Sequence, residues 1–233
     1  MSTFDILQAV LIIAASYVIG GIPWGVIVAK VAGGPDPRSI GSGRTGGSNT
    51  MRAIGPRKAL IAGLLDAAKG LVVVLLARLL GAGVEVQVFA AMASIIGHSR
   101  SPFLGFGGGR GVAPSFGALL AFSPLVAVIT VPLFAAIIAL TRYSSVGSLS
   151  GAAIAGVLLA IQTAVTPLDP ALYLYAIGGP GLVWLFHWDN IGRLIRGKER
   201  KIGTPRPDAN PLPDREAVPP APAPAPPDPG PKD

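Results

Sequence analysis

The sequence is short of charged residues, and this shortage argues against a soluble fold. Only 13% of its 233 residues are Asp, Glu, Lys or Arg, whereas 51% are hydrophobic. A soluble domain usually carries about 25% charged residues, so this chain has too few to cover a water-exposed surface. The composition therefore predicts an integral membrane protein.

Cysteine is absent, and aromatic residues make up only 6% of the chain. The absence of cysteine excludes disulfides, thiolate metal ligands and thiol nucleophiles. Glycine is abundant, with 31 residues, and small residues allow helices in lipid to approach closely. The net charge of +7 is interpreted as membrane topology and contact with anionic lipid, because the interleaved basic and aromatic residues of a nucleic-acid site are missing.

Long apolar stretches predict an all-α, polytopic membrane protein, since a transmembrane helix needs about 20 apolar residues. Gly20, Gly21 and Pro23 predict a kink near the end of the first stretch. A stretch at 112–140 is too long for one span, and Pro124 predicts a break within it. The predicted helices are 6–29, 59–80, 84–97, 112–122, 125–140, 146–165 and 171–188.

Basic residues are concentrated at 30–58, at 99–111 together with Arg142, and at 193–201. The positive-inside rule assigns these three places to the cytoplasm. Arg110 and Arg142 then require the chain between them to return to the same side, which gives seven helices. We expect the N-terminus outside and the C-terminus inside, with the short or broken helices lining a polar site.

Residues 205–233 contain 12 of the 23 prolines and cannot build a core. The sequence thus predicts a transmembrane domain at 1–203 and a disordered, proline-rich cytoplasmic tail at 204–233. A solvated tail is favoured over a ligand for a proline-binding module.

Two motifs rich in glycine and arginine fall on the predicted cytoplasmic face. The first spans 41–49 and is followed by Arg52, and the second spans 105–111 and contains Arg110. Glycines free backbone N–H groups to point at an anion, and arginine adds a fork that fits phosphate. A flexible loop explains the first motif alone equally well. For the second, phosphate binding is favoured over a glycine hinge because both motifs share a face.

Three further groups of polar residues bear on function. The stretch 142–148 is favoured as ordinary interfacial sequence. His187 and Asn190 are three residues apart, so they are expected to share one helix face beside the two motifs. Asp66 and Lys69 lie inside the second predicted helix, where an ionisable pair is either functional or a structural ion pair; both interpretations stay open.

The only histidines are His98 and His187, and no carboxylate cluster accompanies them. We therefore expect no metal ion. Neither histidine begins a His-x4-Asp pattern, which argues against the large acyltransferase class that uses that pair. A Ser-His-acid triad cannot be assigned.

Taken together, these residues resemble the bacterial integral-membrane acyl-phosphate:glycerol-3-phosphate acyltransferases. The resemblance runs in order over residues 20–203 and leaves out the proline-rich tail. Its motifs lie at 21–25, 30, 36–38, 41–43, 49, 52, 55, 65–70, 97–98, 103–106, 108–113, 142–145, 187–191, 193–194, 197, 199 and 201–203.

The resemblance implies transfer of a fatty acyl group from acyl phosphate to the sn-1 hydroxyl of glycerol 3-phosphate, giving lysophosphatidate and phosphate. It implies a seven-helix fold in the bacterial cytoplasmic (inner) membrane, with the active site facing the cytoplasm. No cofactor is implied. The expected partners are the two small-molecule substrates and membrane lipids, without nucleic acid; the oligomeric state stays open, and a monomer is compatible with the sequence.

Residue by residue, the resemblance assigns Arg110 and the loop at 107–111 to one phosphate and Arg52 to the other. His187 and Asn190 are expected to position glycerol 3-phosphate or its attacking hydroxyl, and a phosphate oxygen of the substrate is the hypothetical proton acceptor. The implied catalytic residues are Ser42, Arg52, Ser148, His187 and Asn190, with Ser145 as the alternative to Ser148. The implied substrate-binding residues are Arg44, Ser48, Asn49, Gly108, Gly109, Arg110, Gly111 and Ser145.

Some positions depart from the family pattern. Arg44 replaces the usual Asn, Arg110 replaces the usual Lys, and Gly107 replaces a basic residue. Arg44 is interpreted as offsetting the charge lost at Gly107. These departures keep a second interpretation open, a non-catalytic relative that binds or transports a phosphate-bearing lipid or anion.

Overall fold

The computed structural model describes residues 2–204, and this part of the chain forms helices and no strand. It therefore confirms the all-α prediction. Apart from Thr204, the predicted tail at 204–233 lies outside the described residues. The α-helices are α1 (Thr3–Gly21), α2 (Trp24–Val31), α3 (Gly47–Leu79), α4 (Val84–Ser99), α5 (Val112–Phe122), α6 (Pro124–Thr141), α7 (Ser144–Val165), α8 (Leu172–Phe186) and α9 (Trp188–Ile195).

Membrane-spanning character is clear in most of these helices. Four continuous stretches are long and apolar enough to cross a bilayer, namely Thr3–Val31, Gly47–Leu79, Pro124–Thr141 and Ser144–Val165. The helices α5 and α8 are apolar but shorter. Each of the seven predicted stretches corresponds to a helix, or to the α1–α2 pair, as expected for a polytopic membrane protein. The orientation of the termini stays a prediction.

Both predicted breaks are present. The first stretch divides at Ile22 and Pro23, between α1 and α2. The long stretch at 112–140 divides at Ser123, whose hydroxyl accepts a hydrogen bond from the N–H of Val126 and so caps α6. Proline at the first position of α6 begins a new helix there rather than continuing α5.

The start of α3 differs from the prediction. Residues 47–58 are polar and were expected in a loop, but α3 begins at Gly47 and includes Ser48, Asn49 and Arg52 in its first turns. At Gly55 the backbone takes φ 80°, a conformation that favours glycine, and the helix changes direction before Pro56. The apolar residues that predict a helix lie after this break, whereas the residues before it are polar. For this reason the sequence did not predict the helical start of α3.

Close helix packing depends on glycine where backbones meet. A Cβ on Gly20 of α1 would collide with the backbone of Ser94 in α4, and one on Gly117 of α5 would collide with Ala67 in α3. The pairs α1–α4 and α3–α5 pack most extensively, whereas α7 packs on α6 and α8. Between these groups, α3 and α5 face α6, α7 and α8 across a cavity.

The buried ions of α3 link it to neighbouring helices. Lys69 Nζ lies 2.8 Å from Asp66 Oδ1 and donates a hydrogen bond of 2.9 Å to the carbonyl of Ile22. His98 Nδ1 of α4 lies 3.5 Å from the same Asp66 oxygen. Lys69 thereby becomes a second donor to the Ile22 carbonyl at the α1–α2 break, which also accepts from the N–H of Trp24. Asp66 and His98 also line the cavity among these helices, so both interpretations of the pair stay open.

Candidate active site

Two cavities meet on one side of the helix bundle. The larger, of about 460 Å³, lies among α3, α5, α6, α7 and α8 and is called the apolar groove. The smaller, of about 200 Å³, lies at the start of α3 and around α9 and is called the polar chamber. The side chains common to both linings form their boundary, and they are Ser42, Ser48, Asn49, Arg110, Ser144 and His187. The structure thus brings most of the predicted site residues to a single place.

The first glycine–arginine motif is held by Asn49, which is buried on the first turn of α3. Its amide nitrogen donates to Ser42 Oγ at 3.1 Å and to the carbonyl of Arg44 at 2.9 Å. Its amide oxygen accepts from a guanidinium nitrogen of Arg52 at 3.0 Å, and this bond sets the direction of the Arg52 side chain. The motif is therefore tied to the helix rather than being a free loop, and Arg52 lines the polar chamber.

The second motif uses its glycines differently from the prediction. The N–H groups of Gly107 and Gly109, expected to point at an anion, donate to the carbonyls of Leu104 and His98. A Cβ on Gly108, Gly109 or Gly111 would collide with the end of α4. These glycines allow the loop to pack tightly on α4, and it is Arg110 that reaches the boundary of the two cavities.

Three arginines converge on one carboxylate. A single oxygen of Asp189, Oδ2, lies 3.2 Å from Arg110, 3.3 Å from Arg193 and 3.8 Å from Arg44. Although burial opposes ionisation, Arg110 and Arg44 hold the pKa of Asp189 below its usual value. Burial lowers the pKa of Arg110, and Asp189 opposes that shift. Asp189 thus holds several like charges together.

Two of these arginines differ in what they offer a ligand. The Nε group of Arg110 is buried and has no hydrogen-bond partner among the described residues. A buried donor without a partner costs free energy, so an anion there would be favoured. Arg44 was predicted to bind substrate, but it is not among the described residues that line either cavity. Arg44 instead contributes a positive charge next to Asp189. This is compatible with the expectation that Arg44 offsets the basic residue missing at Gly107.

His187 occupies the junction between α8 and α9, where φ is −100° and ψ is 10°. His187 and Asn190 were predicted to share the face of one continuous helix, but His187 lies at the junction before α9. Both residues nevertheless line the polar chamber. His187 Nδ1 lies 2.7 Å from the carbonyl of Val183, so this nitrogen must carry the proton it donates. Burial lowers the pKa of His187 to about 4, and the neutral ring keeps a lone pair on Nε2.

Glu199 organises the far wall of the polar chamber, a role that sequence reasoning did not assign. One oxygen accepts from Ser145 Oγ at 2.7 Å and from the Asn190 amide at 2.6 Å, and the other accepts from Arg193 at 2.7 Å. The bond to the Asn190 nitrogen leaves Asn190 Oδ1 as a buried acceptor without a partner among residues 2–204. Its sequence signals were a single acid within the basic run at 193–201 and its place in the last motif of the family resemblance, which assigned it no role.

The two candidate serines of α7 have separate environments. Ser145 lines the polar chamber and bonds Glu199, whereas Ser148 lines the apolar groove and donates to the carbonyl of Ser144 at 2.9 Å. The described residues include no group of three or more potential metal-ligating His, Asp or Glu side chains. The chemistry available at the boundary is therefore phosphate binding by guanidinium groups beside neutral acceptors suited to a hydroxyl.

A family model described as glycerol-3-phosphate acyltransferase matches residues 10–197. Among relatives of that name, glycerol-3-phosphate acyltransferase 1 of Deinococcus radiodurans is 41% identical over 198 residues, covering 84% of this chain and 97% of its own. A relative from Thermus thermophilus is 39% identical over 196 residues, covering 84% of this chain and 96% of its own.

Solved structures of PlsY (YgiH), an integral membrane glycerol 3-phosphate acyltransferase, share this fold. The glycerol 3-phosphate form superposes with a TM-score of 0.76 and 32% identity, covering 84% of this chain and 96% of that chain. The lysophosphatidic acid form gives a TM-score of 0.75 and 30% identity over the same shares.

Proposed function

Because the chain belongs to the glycerol-3-phosphate acyltransferase family, we propose that it transfers a fatty acyl group from acyl phosphate to the sn-1 hydroxyl of glycerol 3-phosphate. The products are 1-acylglycerol 3-phosphate and inorganic phosphate. The observation that carries the proposal is the meeting of a polar chamber and an apolar groove at Arg110 and His187. A charged acceptor and a long-chain donor need two such compartments, joined where the acyl carbon reacts.

Each phosphate has its own arginine in this proposal. Arg52, directed by Asn49, binds the phosphate of glycerol 3-phosphate in the polar chamber. Arg110 binds the phosphate of the donor at the boundary, where its Nε group gains the acceptor that the protein does not supply. Guanidinium groups suit both tasks because their planar fork matches two phosphate oxygens.

Two neutral acceptors receive the hydroxyl groups of glycerol. Nε2 of His187 has a lone pair because Nδ1 donates to Val183. Oδ1 of Asn190 is an acceptor because its amide nitrogen is bound to Glu199. These two atoms orient the sn-1 hydroxyl toward the acyl carbon, and orientation lowers the barrier without a covalent enzyme intermediate.

The proton goes to the phosphate and not to His187. A ring with a pKa of about 4 is a weak base at neutral pH, whereas the phosphate oxygen becomes strongly basic as its bond to the acyl carbon breaks. The hydroxyl oxygen attacks the acyl carbonyl carbon, and the bond from that carbon to the phosphate oxygen breaks. The departing phosphate keeps the electron pair and takes the hydroxyl proton, while Arg110 stabilises its charge.

The acyl chain lies in the apolar groove. Tyr175 and His187 both line the groove. The helical segment from Tyr175 to His187 is about 18 Å long at 1.5 Å per residue, so the groove can hold a long fatty acyl group. Leu60 and Leu64 of α3 line the groove and are exposed, so its side opens between helices that contact lipid. We place the protein in the bacterial cytoplasmic membrane with the polar chamber facing the cytoplasm, because the basic residues cluster there.

The test uses the purified full-length chain in lipid vesicles with palmitoyl phosphate and radiolabelled glycerol 3-phosphate. We expect equal amounts of phosphate and lysophosphatidate, and a loss of both in His187→Ala. Arg52→Gln should raise KM for glycerol 3-phosphate, whereas Arg57→Gln, an exposed arginine of the same helix, should leave it unchanged. Binding of glycerol 3-phosphate without any product would instead support the non-catalytic alternative.

A further inference from the structure

We infer that Gly63 of α3 determines how long an acyl chain the protein accepts, because it leaves a gap in the wall of the apolar groove. The inference rests on the proposed function and adds a specificity-determining residue to it. Gly63 lies within the part of α3 that follows the Gly55 break, and it lines the groove.

The space beside Gly63 is open, unlike that beside the glycines of the facing helix. A Cβ placed on Gly63 meets no atom within 4 Å. On α7, a Cβ on Gly151 would lie 3.2 Å from the ring of Phe134, and one on Gly156 would collide with the carbonyl of Ala176. The α7 glycines therefore serve helix packing, whereas the missing side chain of Gly63 widens the groove.

The groove continues past Gly63. Ala67, one helical turn farther from the first glycine–arginine motif, also lines it, as do Leu119, Leu159 and Tyr175 of the other helices. Since an added Cβ on Gly63 would meet no atom within 4 Å, no neighbouring helix fills the gap. An acyl chain that occupies this part of the groove lies beside Gly63, and a longer chain fills more of it.

The groove is continuous with the boundary residues, so its occupant is the chain attached to the phosphate that Arg110 holds. Filling the gap would remove room for methylenes of the acyl chain, and we expect a long chain to lose more of its contact than a short one. A hydrophobic pocket discriminates about 10–200-fold for a single methylene that does not fit, so a large side chain at Gly63 should be felt strongly.

The experiment compares octanoyl phosphate with palmitoyl phosphate in the full-length protein, in its Gly63→Ala and Gly63→Leu variants, and in a Gly181→Leu control. Gly181 lies on α8, is exposed, also has open space around it, and is not among the described groove-lining residues. We expect Gly63→Leu to lower the ratio of kcat/KM for palmitoyl over octanoyl phosphate at least about tenfold. Gly63→Ala should lower it less, and Gly181→Leu should not change it; KM for glycerol 3-phosphate should stay constant throughout.

An unchanged ratio in folded Gly63→Leu, or an equal loss with both donors, would overturn the inference. If the leucine variant does not fold, the alanine variant decides by the same ratio. Wild-type protein that is inactive with both donors would overturn the proposed function and the inference with it, whereas an active wild type with an unaltered ratio in the variants removes the role of Gly63 alone.

Discussion

The polar chamber and the apolar groove are built on opposite principles. In the chamber each functional side chain is held by a named partner, as Asn49 holds Arg52 and Glu199 holds Asn190. In the groove the walls act through their shape. The space beside Gly63 is empty, whereas Phe134 fills the space beside Gly151. Directional bonds depend on single atoms, whereas apolar contact depends on area and volume. The chamber should therefore be sensitive to charge and geometry, and the groove to size.

Among the variants of Arg110, Ser145 and Ser148, Arg110→Gln should cause the largest loss. Arg110→Gln takes away the guanidinium that we propose stabilises the leaving phosphate, and loss of one such donor costs about 10²–10³ in kcat. Steady-state kinetics with palmitoyl phosphate measure the effect. Arg196→Gln, an exposed arginine on the same predicted face, serves as the control and should stay near wild type. Equal activity of the two variants would remove Arg110 from the site.

Variants of the two α7 serines, Ser145 and Ser148, allow the two compartments to be compared directly. Ser145→Ala removes a hydrogen bond that fixes Glu199 and, through it, Asn190, and since a small misplacement of a positioning group can cost up to about 10²-fold, we expect kcat/KM to fall about tenfold. Ser148→Ala removes only a bond to the carbonyl one turn earlier and should change the rate less than about threefold. A larger effect at Ser148 would reverse the assignment and restore it as the catalytic serine.

The smallest effect concerns pH. With a pKa of about 4, His187 stays neutral from about pH 8 to about pH 5.5, so its titration should add no limb to the kcat profile there. Its lowered pKa still affects stability, because the unfolded chain takes up a proton below about pH 6.5 while the folded chain does not until about pH 4.

Stability should therefore fall as pH falls through this window, by at most about 1.4 kcal/mol per pH unit. Thermal unfolding at about pH 7 and about pH 5 measures it, with His187→Gln as the comparison. The wild type should lose more stability than the variant on acidification. An identical loss in both would mean that His187 is not buried as a neutral ring.

Much of the fold could be predicted from the chain because each signal was local. Apolar stretches predicted the spans, and Pro23 and Pro124 predicted both breaks. The start of α3 was missed because residues 47–58 are polar and owe their helix to side-chain bonds such as that of Arg52 to Asn49. A local pattern carries no information about such partners.

The sequence predicted which residues line the candidate site better than it predicted how they are arranged. His187 was expected within one helix with Asn190, but it lies at the junction that begins α9, and only tertiary packing sets that junction. The glycines at 108–111 were expected to cradle an anion, and this stays a prediction, but their close packing on α4 was not foreseen. The convergence of arginines on Asp189 joins segments far apart in the chain and has no local signature.

The most direct test of the two-compartment account replaces the long-chain donor with acetyl phosphate. Acetyl phosphate presents the same reacting group and phosphate to Arg110 but leaves the apolar groove unused. Since binding energy from a remote part of a substrate contributes to the rate, kcat/KM should fall more than about 10³-fold relative to palmitoyl phosphate. Comparable values for the two donors would contradict the account, because the groove would then contribute nothing to transfer.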